Sequence, residues 1–364
     1  MTWQKVSISQ FGGPEVLDLI EESTIPQPGP GEVRIKVLAA GTGFTDIFIR
    51  RGRYPDYKGP LPFIPGYDIV GLVDKVGPGV ASPHEGQTVA DLCVVGGYTQ
   101  YAIRPAQFLV PVPDGVDPAE AVCIPLAYLT AFQMLTRYRQ LAPGATILAI
   151  GASGTVGTAL LDLARHFGLN AIGTCSAANM PVVESFGAKA IDYRDGDFVD
   201  TLHKLTAGVD VVFDAIGGAH FARSYACLAS GGLLVGYGSQ TMADGREGLL
   251  SAGLGLARLK LWDTFNVAFR RRRAKWYSIT SRRKTHPEEF KADMAALFAL
   301  LREGAIHPVV IDRLPLAAAP DVHTRIDAGG LGGKIVLTPW PPKPDNTAAA
   351  LSADAPLRFE TGST

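Results

Sequence analysis

The chain has few cysteines, no surplus of either charge and no long apolar run, and each lack removes a class of protein. Cys93, Cys123, Cys175 and Cys227 lie far apart in the 364 residues, and none forms a CxxC pair. That spacing argues against a disulfide scaffold and a structural zinc lobe. Lys and Arg total 34 against 35 Asp and Glu, a formal net charge of −1. With no positive surplus to neutralise a phosphate backbone, nucleic-acid binding is not expected. No uninterrupted apolar stretch reaches the roughly 18 residues of a membrane span. The N-terminus, MTWQKVSISQFGG, lacks a basic segment followed by an apolar one, so no signal peptide is expected. A soluble, cytoplasmic protein is the expectation. The 7 histidines show no H-x-x-x-H spacing, and His323 reads as structural. There is no internal repeat and no G-x-S-x-G elbow, which sets a hydrolase aside.

Glycine is what the chain has in excess: 41 Gly, beside 26 Pro. Such a content points to many tight turns and to backbone that approaches a ligand closely. Apolar residues at 47% and charged ones at 19% are enough to bury large cores, and the length predicts two or three domains.

The first third reads as short strands between Gly/Pro turns. Residues 32–37 alternate polar and apolar with period two, a strand with one wet face. Residues 69–76 form another, ended by Gly77-Pro78-Gly79, while Pro60, Pro62 and Pro65 break the intervening segment into loop. The texture changes near residue 125. Residues 146–150 are a continuous apolar run, the mark of a parallel strand buried on both faces. A helix with Val156, Leu160, Leu163, Ala164 and Phe167 on one stripe follows, stopped by Gly168. Further strands lie at 171–174, 209–213, 232–235 and 334–337, with an amphipathic helix over 288–301. Strands alternating with helices make a doubly wound parallel α/β sheet. Residues 241–285 carry the run Arg270-Arg271-Arg272-Arg273 and little periodicity; the run reads as a solvated helix face or interface rim. From Pro339 the Pro/Ala/Ser-rich sequence reads as a disordered tail.

Gly151, Gly154 and Gly157 follow a strand and open a helix, with Ser153, Thr155 and Val156 between them. Glycine there lets the backbone turn tightly and lets a pyrophosphate approach the unpaired N–H groups of a helix N-terminus. The expected ligand is a dinucleotide. At the end of the second strand, Gly173-Thr174-Cys175-Ser176 carries no acid of the kind that selects NAD. A 2′-phosphate meets no repulsion, Ser176 can donate to it, and Tyr193 and Arg194 can add a phenol and a cation. NADPH is therefore the expected cofactor.

With these features in view, the sequence resembles the medium-chain dehydrogenase/reductase superfamily, and within it the zinc-free quinone oxidoreductase (zeta-crystallin-like) branch. The resemblance is carried by residues 40–46, 51–55, 64–71 and 129–131, the glycine loop, and residues 211–214, 231–235 and 333–337, in the family's order. It implies a GroES-like, mostly-β catalytic domain over residues 1–124 completed by 315–338, and a Rossmann domain over 125–314, with the tail at 339–364. Where zinc-dependent relatives place metal ligands, this chain has Gly43, Tyr67 and Leu126, so no metal is implied. Tyr54 matches a tyrosine proposed to position or protonate substrate in enoyl-reducing relatives; the plainer reading is an aromatic lining the cofactor cleft. Asp46, the other catalytic candidate, matches an aspartate that orients its loop; the plainer reading is buried structural pairing. Two departures stand out: Gly43 replaces an Asn that contacts the nicotinamide region, for which Thr42 or Thr45 is a substitute, and Met180 replaces a Lys used for the 2′-phosphate. Thr130 matches a threonine near the nicotinamide. Ile216 and Tyr237 lie where parallel strands end and ligands bind. Lys334 is placed to reach the cofactor phosphates, although a surface lysine is its plainer reading. The implied activity is zinc-independent, NADPH-dependent reduction of a quinone or an α,β-unsaturated carbonyl, in a homodimer or homotetramer. The alternative is a nucleotide-binding structural or regulatory protein with little catalysis.

Overall fold

The computed structural model describes residues 2–240, 249–266 and 272–341. A hairpin of β1 (Trp3–Ile8) and β2 (Leu17–Glu22) opens the chain. It is followed by β3 (Glu32–Gly41), β4 (Asp68–Val76), β5 (Thr88–Leu92), β6 (Tyr101–Pro105) and β7 (Val110–Pro111). Along β3 the odd residues Val33, Ile35, Val37 and Ala39 are buried, as period-two patterning requires. β4 crosses β3 where a Cβ on Gly71 would lie 2.3 Å from the Lys36 carbonyl, so close backbone contact fixes glycine there.

The second sheet contains β8 (Thr146–Ile150), β9 (Asn170–Cys175), β10 (Lys189–Asp192), β11 (Val209–Asp214), β12 (Leu228–Gly236) and β13 (Arg273–Trp276). All pairings are parallel, in the order β10-β9-β8-β11-β12-β13. The order reverses between β8 and β11, the switch point at which open parallel sheets bind ligands beyond their carboxyl ends. β14 (Val310–Leu314) and β15 (Lys334–Leu337) then return the chain to the first sheet, where β15 lies antiparallel to β3. The fold is thus a GroES-like β domain joined to a Rossmann-like parallel sheet. Among the described residues one segment, Pro118–Thr136, is long and apolar enough to cross a membrane, but 78% of its most apolar 18-residue stretch is buried within the fold.

The structure corrects the sequence reading in two places. The segment 241–285 contains a helix, Leu249–Asn266, and the edge strand β13. Arg270 and Arg271 lie outside the described residues, while Arg273 and Lys275 both pair with Asp263. The chain is also held beyond residue 338. Gln100 Nε2 donates to the Pro339 carbonyl (2.8 Å), Trp340 Nε1 donates to the Val37 carbonyl (2.7 Å), and the Trp340 ring meets Tyr101 edge-on. The rest of the expected tail, 342–364, lies outside the described residues.

Two buried polar contacts tie distant segments together. Asp91, fully buried on β5, accepts from Arg104 Nε (2.6 Å) and from Arg283 Nη2 (2.8 Å) on the helix Ile279–Thr285. His323, on the helix Ala319–Ala328, lies between Arg50 Nη1 (3.2 Å at Nδ1) and the Tyr98 hydroxyl (3.1 Å at Nε2). Burial, helped by the Arg50 charge, pushes the His323 ring from its ordinary 6.5 down to about 3. With Arg50 donating to Nδ1, the ring is neutral and carries its hydrogen on Nε2.

Asp91→Asn is expected to lower unfolding stability by about 3 kcal/mol, because it strands two arginines that share one buried carboxylate; urea denaturation measures this, and an unchanged midpoint contradicts it. The unfolded chain takes up a proton on His323 near pH 6.5 and the folded chain does not. Stability is therefore full above that pH and declines as pH falls toward 3. Equilibrium unfolding across this range should show the decline, and His323→Asn should flatten it.

Candidate functional site

The glycine loop sits at the switch point. β8 ends at Ile150, and Gly151 takes φ +73°, a left-handed conformation suited to glycine. The helix Thr155–His166 begins with Gly154 as its N-cap and has no side-chain cap. Its first N–H groups are left for an outside acceptor. A Cβ on Gly157 would lie 2.5 Å from the Gly151 carbonyl oxygen and 2.6 Å from the Ala152 carbonyl carbon, so glycine there lets helix and strand close up. Thr174 Oγ1 accepts from the Gly151 amide (3.1 Å), and Asn179 Nδ2 donates to Ser153 Oγ (3.1 Å). These contacts fix the loop from the neighbouring strand. The cradle fits a pyrophosphate.

The remaining candidates on the parallel sheet share its carboxyl edge. Ser176 follows β9, and the Tyr193 amide, after β10, donates to the Cys175 carbonyl (3.1 Å). Tyr193 is exposed, with the Arg194 guanidinium 5.5 Å from its ring centroid. Ile216 follows β11 in a turn built by Asp214, which accepts from the Ile216 amide (2.7 Å) and the Gly217 amide (3.2 Å). Tyr237 follows β12, its amide donating to the Asp214 carbonyl (3.0 Å). Thr130 is buried on the helix Leu129–Thr136 and interacts with the Tyr277 hydroxyl, just past β13.

The other candidates come from the GroES-like domain. Thr45 and Asp46 lie in the first turn of the helix Phe44–Arg50, where Asp46 Oδ2 accepts from the Gly43 amide (2.9 Å). Gly43 itself has an extended backbone, and a Cβ built there meets nothing within 4 Å, so open space rather than backbone strain accompanies the glycine. The Tyr54 hydroxyl is 2.7 Å from that of fully buried Tyr67, their rings edge-on at 5.9 Å. Burial pushes the Tyr54 phenol well above its ordinary range; the Tyr67 contact opposes this and the Asp56 carboxylate adds to it.

Lys334 differs from the sequence reading. It is 3% exposed, and its ammonium donates to Asp68 Oδ2 (2.9 Å) and the Val122 carbonyl (3.3 Å). Its charge is committed to Asp68 and is not free for a cofactor phosphate. Burial, together with the nearby Asp68, raises the Asp46 carboxyl to about 8, against the opposing pull of Lys334. One ammonium thus faces two buried acids. The contact assigns the carboxylate to Asp68 and leaves Asp46 protonated at neutral pH.

The donor set does not suit zinc. Gly43 offers no ligand, the Tyr67 hydroxyl is paired with that of Tyr54 and Leu126 is apolar, and among the described residues no group of three or more His, Cys, Asp or Glu is placed to hold a metal. Sequence reasoning missed Asn179, Asp214, Asp68 and Asp56. Asp214 alone carried a signal, a carboxylate ending a buried parallel strand before Ala-Ile-Gly-Gly.

A phosphate cradle at the switch point of this parallel sheet, joined to a GroES-like domain, defines a dinucleotide-dependent dehydrogenase/reductase. Residues 29–114 match the family model described as the alcohol dehydrogenase GroES-like domain, and residues 186–337 match that of a zinc-binding dehydrogenase. The chain is 28% identical to quinone oxidoreductase of Homo sapiens over 340 residues, covering 91% of this chain and 96% of that protein. It is 31% identical to the synaptic vesicle membrane protein VAT-1 homolog of Rattus norvegicus over 344 residues, 92% of this chain and 84% of that protein. The structure of Escherichia coli quinone oxidoreductase complexed with NADPH superposes with a TM-score of 0.81 at 28% identity, covering 92% of this chain and 100% of that one. The chain belongs to the medium-chain dehydrogenase/reductase superfamily, in its zinc-free, quinone oxidoreductase-like branch.

Gly157→Ala forces a methyl into the Gly151–Ala152 backbone and is expected to cost about 2 kcal/mol of stability and to weaken dinucleotide binding. Gly154→Ala, whose Cβ would lie 3.3 Å from the Gly151 carbonyl, should weaken binding less. Calorimetric titration of both variants with reduced dinucleotides checks the order, and equal affinities would contradict it.

Proposed function

We propose that this protein is an NADPH-dependent reductase of a quinone or an α,β-unsaturated carbonyl and works without a metal. The carrying observation is the pairing of a glycine phosphate cradle with a tyrosine hydroxyl pair, Tyr54 and Tyr67, of which Tyr67 stands where a metal-using relative needs a ligand. In this reading the helix Thr155–His166 holds the pyrophosphate at its N-terminus. Ser176, Tyr193 and Arg194, with no acid at the end of β9, take the 2′-phosphate. The NADPH bound to the E. coli relative supports that choice of cofactor. When bound, the dihydronicotinamide supplies a hydride to an electron-poor carbon. Tyr54 supplies the proton that completes the reduction, and Asp46 holds the Gly43 loop. Reducing such an acceptor creates no alkoxide that needs a Lewis acid. The same reading divides the chain into a catalytic part, 1–124 with 315–338, and a dinucleotide-binding part, 125–314. It places the assembly in the cytoplasm as a homodimer or homotetramer.

A second reading, nucleotide binding with little catalysis, is favoured by Gly43, which leaves empty the position where reducing relatives carry an Asn, and by the vesicle-protein relative. A panel of quinones, enones and enoyl thioesters separates the two. The reductase reading predicts NADPH oxidation exceeding NADH oxidation, and a loss of about a hundredfold in kcat for Tyr54→Phe at unchanged NADPH affinity. Tight NADPH binding with no turnover on any acceptor would favour the second reading.

A further inference from the structure

We infer that the Thr280 hydroxyl, by holding Asp56, fixes the turn that carries Tyr54 against the dinucleotide-binding half of the molecule. Thr280 is a positioning residue for the proton donor, a role that rests on the reductase reading above. Tyr54 and the phosphate cradle belong to different halves of the fold. Tyr54 follows the helix Phe44–Arg50, whereas the cradle lies between β8 and the helix Thr155–His166. Hydride offered from one half and a proton offered from the other must meet on one acceptor. A misplacement of about 1 Å in such an arrangement can cost a hundredfold in rate.

The turn needs outside support. Its own backbone bond, the Tyr57 amide to the Tyr54 carbonyl, is long at 3.4 Å. Pro55 has no amide to donate, and Pro55, Asp56 and Lys58 are exposed. Two side chains anchor it instead. On the inner side the Tyr54 hydroxyl lies 2.7 Å from that of buried Tyr67. On the other side the Thr280 hydroxyl donates to Asp56 Oδ2. Thr280 lies on the helix Ile279–Thr285, which follows β13 of the parallel sheet. The anchors thus grip residues two apart and come from opposite halves.

The hydrogen bonds behind Thr280 give its hydroxyl one direction. Its hydrogen goes to the Asp56 carboxylate, so its oxygen accepts from the Ser278 hydroxyl, 3.0 Å away. Ser278 Oγ accepts in turn from the Ser281 amide (3.2 Å) as the N-cap of the helix. Bonds linked in this way polarise one another. Thr280 is 8% exposed, so water does not compete freely for it. The helix is also docked independently: Arg283 Nη2 donates to Asp91 Oδ1 (2.8 Å) on β5, and its guanidinium lies 4.4 Å from the Phe108 ring centroid. The two halves therefore stay joined when the Thr280 hydroxyl is removed, and what is lost is the hold on the Tyr54 turn.

Hydrogen exchange of the full chain, free and loaded with NADPH, reads that hold directly. Thr280→Val should speed exchange across residues 53–59 about tenfold and leave β3 unchanged, and Thr280→Ser should restore the slow rate. In turnover with NADPH and an enone or quinone, Thr280→Val should lower kcat about tenfold at unchanged NADPH affinity, with Thr280→Ser again restoring it. Asp56→Ala should lower kcat equally, and the double variant no further. Unchanged exchange in Thr280→Val overturns the inference whether or not any acceptor is reduced. Faster exchange with unchanged kcat overturns the positioning role, as does a double variant in which the two losses multiply. Faster exchange in Thr280→Val, when the wild-type protein reduces no acceptor, upholds the hold on the turn and contradicts the reductase reading.

Discussion

A single buried cation set against two buried acids governs the centre of this molecule. Lys334 stands on β15, the strand that brings the chain back to the first sheet, and reaches Asp68 at the start of β4. The contact exists only because Gly41 has no side chain. A Cβ there would lie 2.0 Å from Asp68 Oδ1 and 2.5 Å from Lys334 Nζ. Ions this deep are tolerated only when paired, and removing one partner of such a pair typically costs about 3–5 kcal/mol. Lys334 also borders a small cavity with Thr155 and Thr158 of the glycine-loop helix, so the pair lies where the two halves of the fold meet.

The same charge arithmetic shapes the chemistry beside it. With Lys334 balanced by Asp68, no positive charge remains for Asp46, which keeps its proton and caps the Gly43 turn as a neutral acid. The neighbouring polar groups are then hydroxyls, Tyr54 and Tyr67. Hydroxyls can pass protons over short distances and offer no soft donor to a cation such as zinc. Hydride chemistry suits such a site where the acceptor is already electron-poor.

Much of the scaffold was legible because its signals are local. The apolar run of β8, the glycines after it and the helical stripe behind them specify one another within twenty or so residues, the usual span of a strand–turn–helix unit. Other parts depend on partners far away in the chain. β13 buries Ala274 and offers Arg273 and Lys275 to Asp263, and its alternation, Arg-Ala-Lys-Trp, is only four residues long and continues a run of arginines, so it did not stand out as a strand. Proline around residue 340 suggested disorder, yet Trp340 is held by the Val37 carbonyl. Lys334 read as a cofactor-phosphate contact or a surface lysine, not as a buried ion-pair partner, because Asp68 is 266 positions away. Asp56 gave no signal for the same reason: its contact, Thr280, lies 224 positions further on. Thus the glycine loop was legible from its local signals, while Asp68 and Asp56, defined by contacts far along the chain, were not.

The account stands or falls on whether this site moves a hydride without a metal. The direct measurement is a single turnover of chelator-treated protein with NADPH carrying deuterium at the transferring position of C4 and an enone as acceptor. The account predicts one deuterium at the β-carbon of the product, in an amount unaffected by chelation. Product deuterium that disappears on chelation and returns with zinc would contradict it.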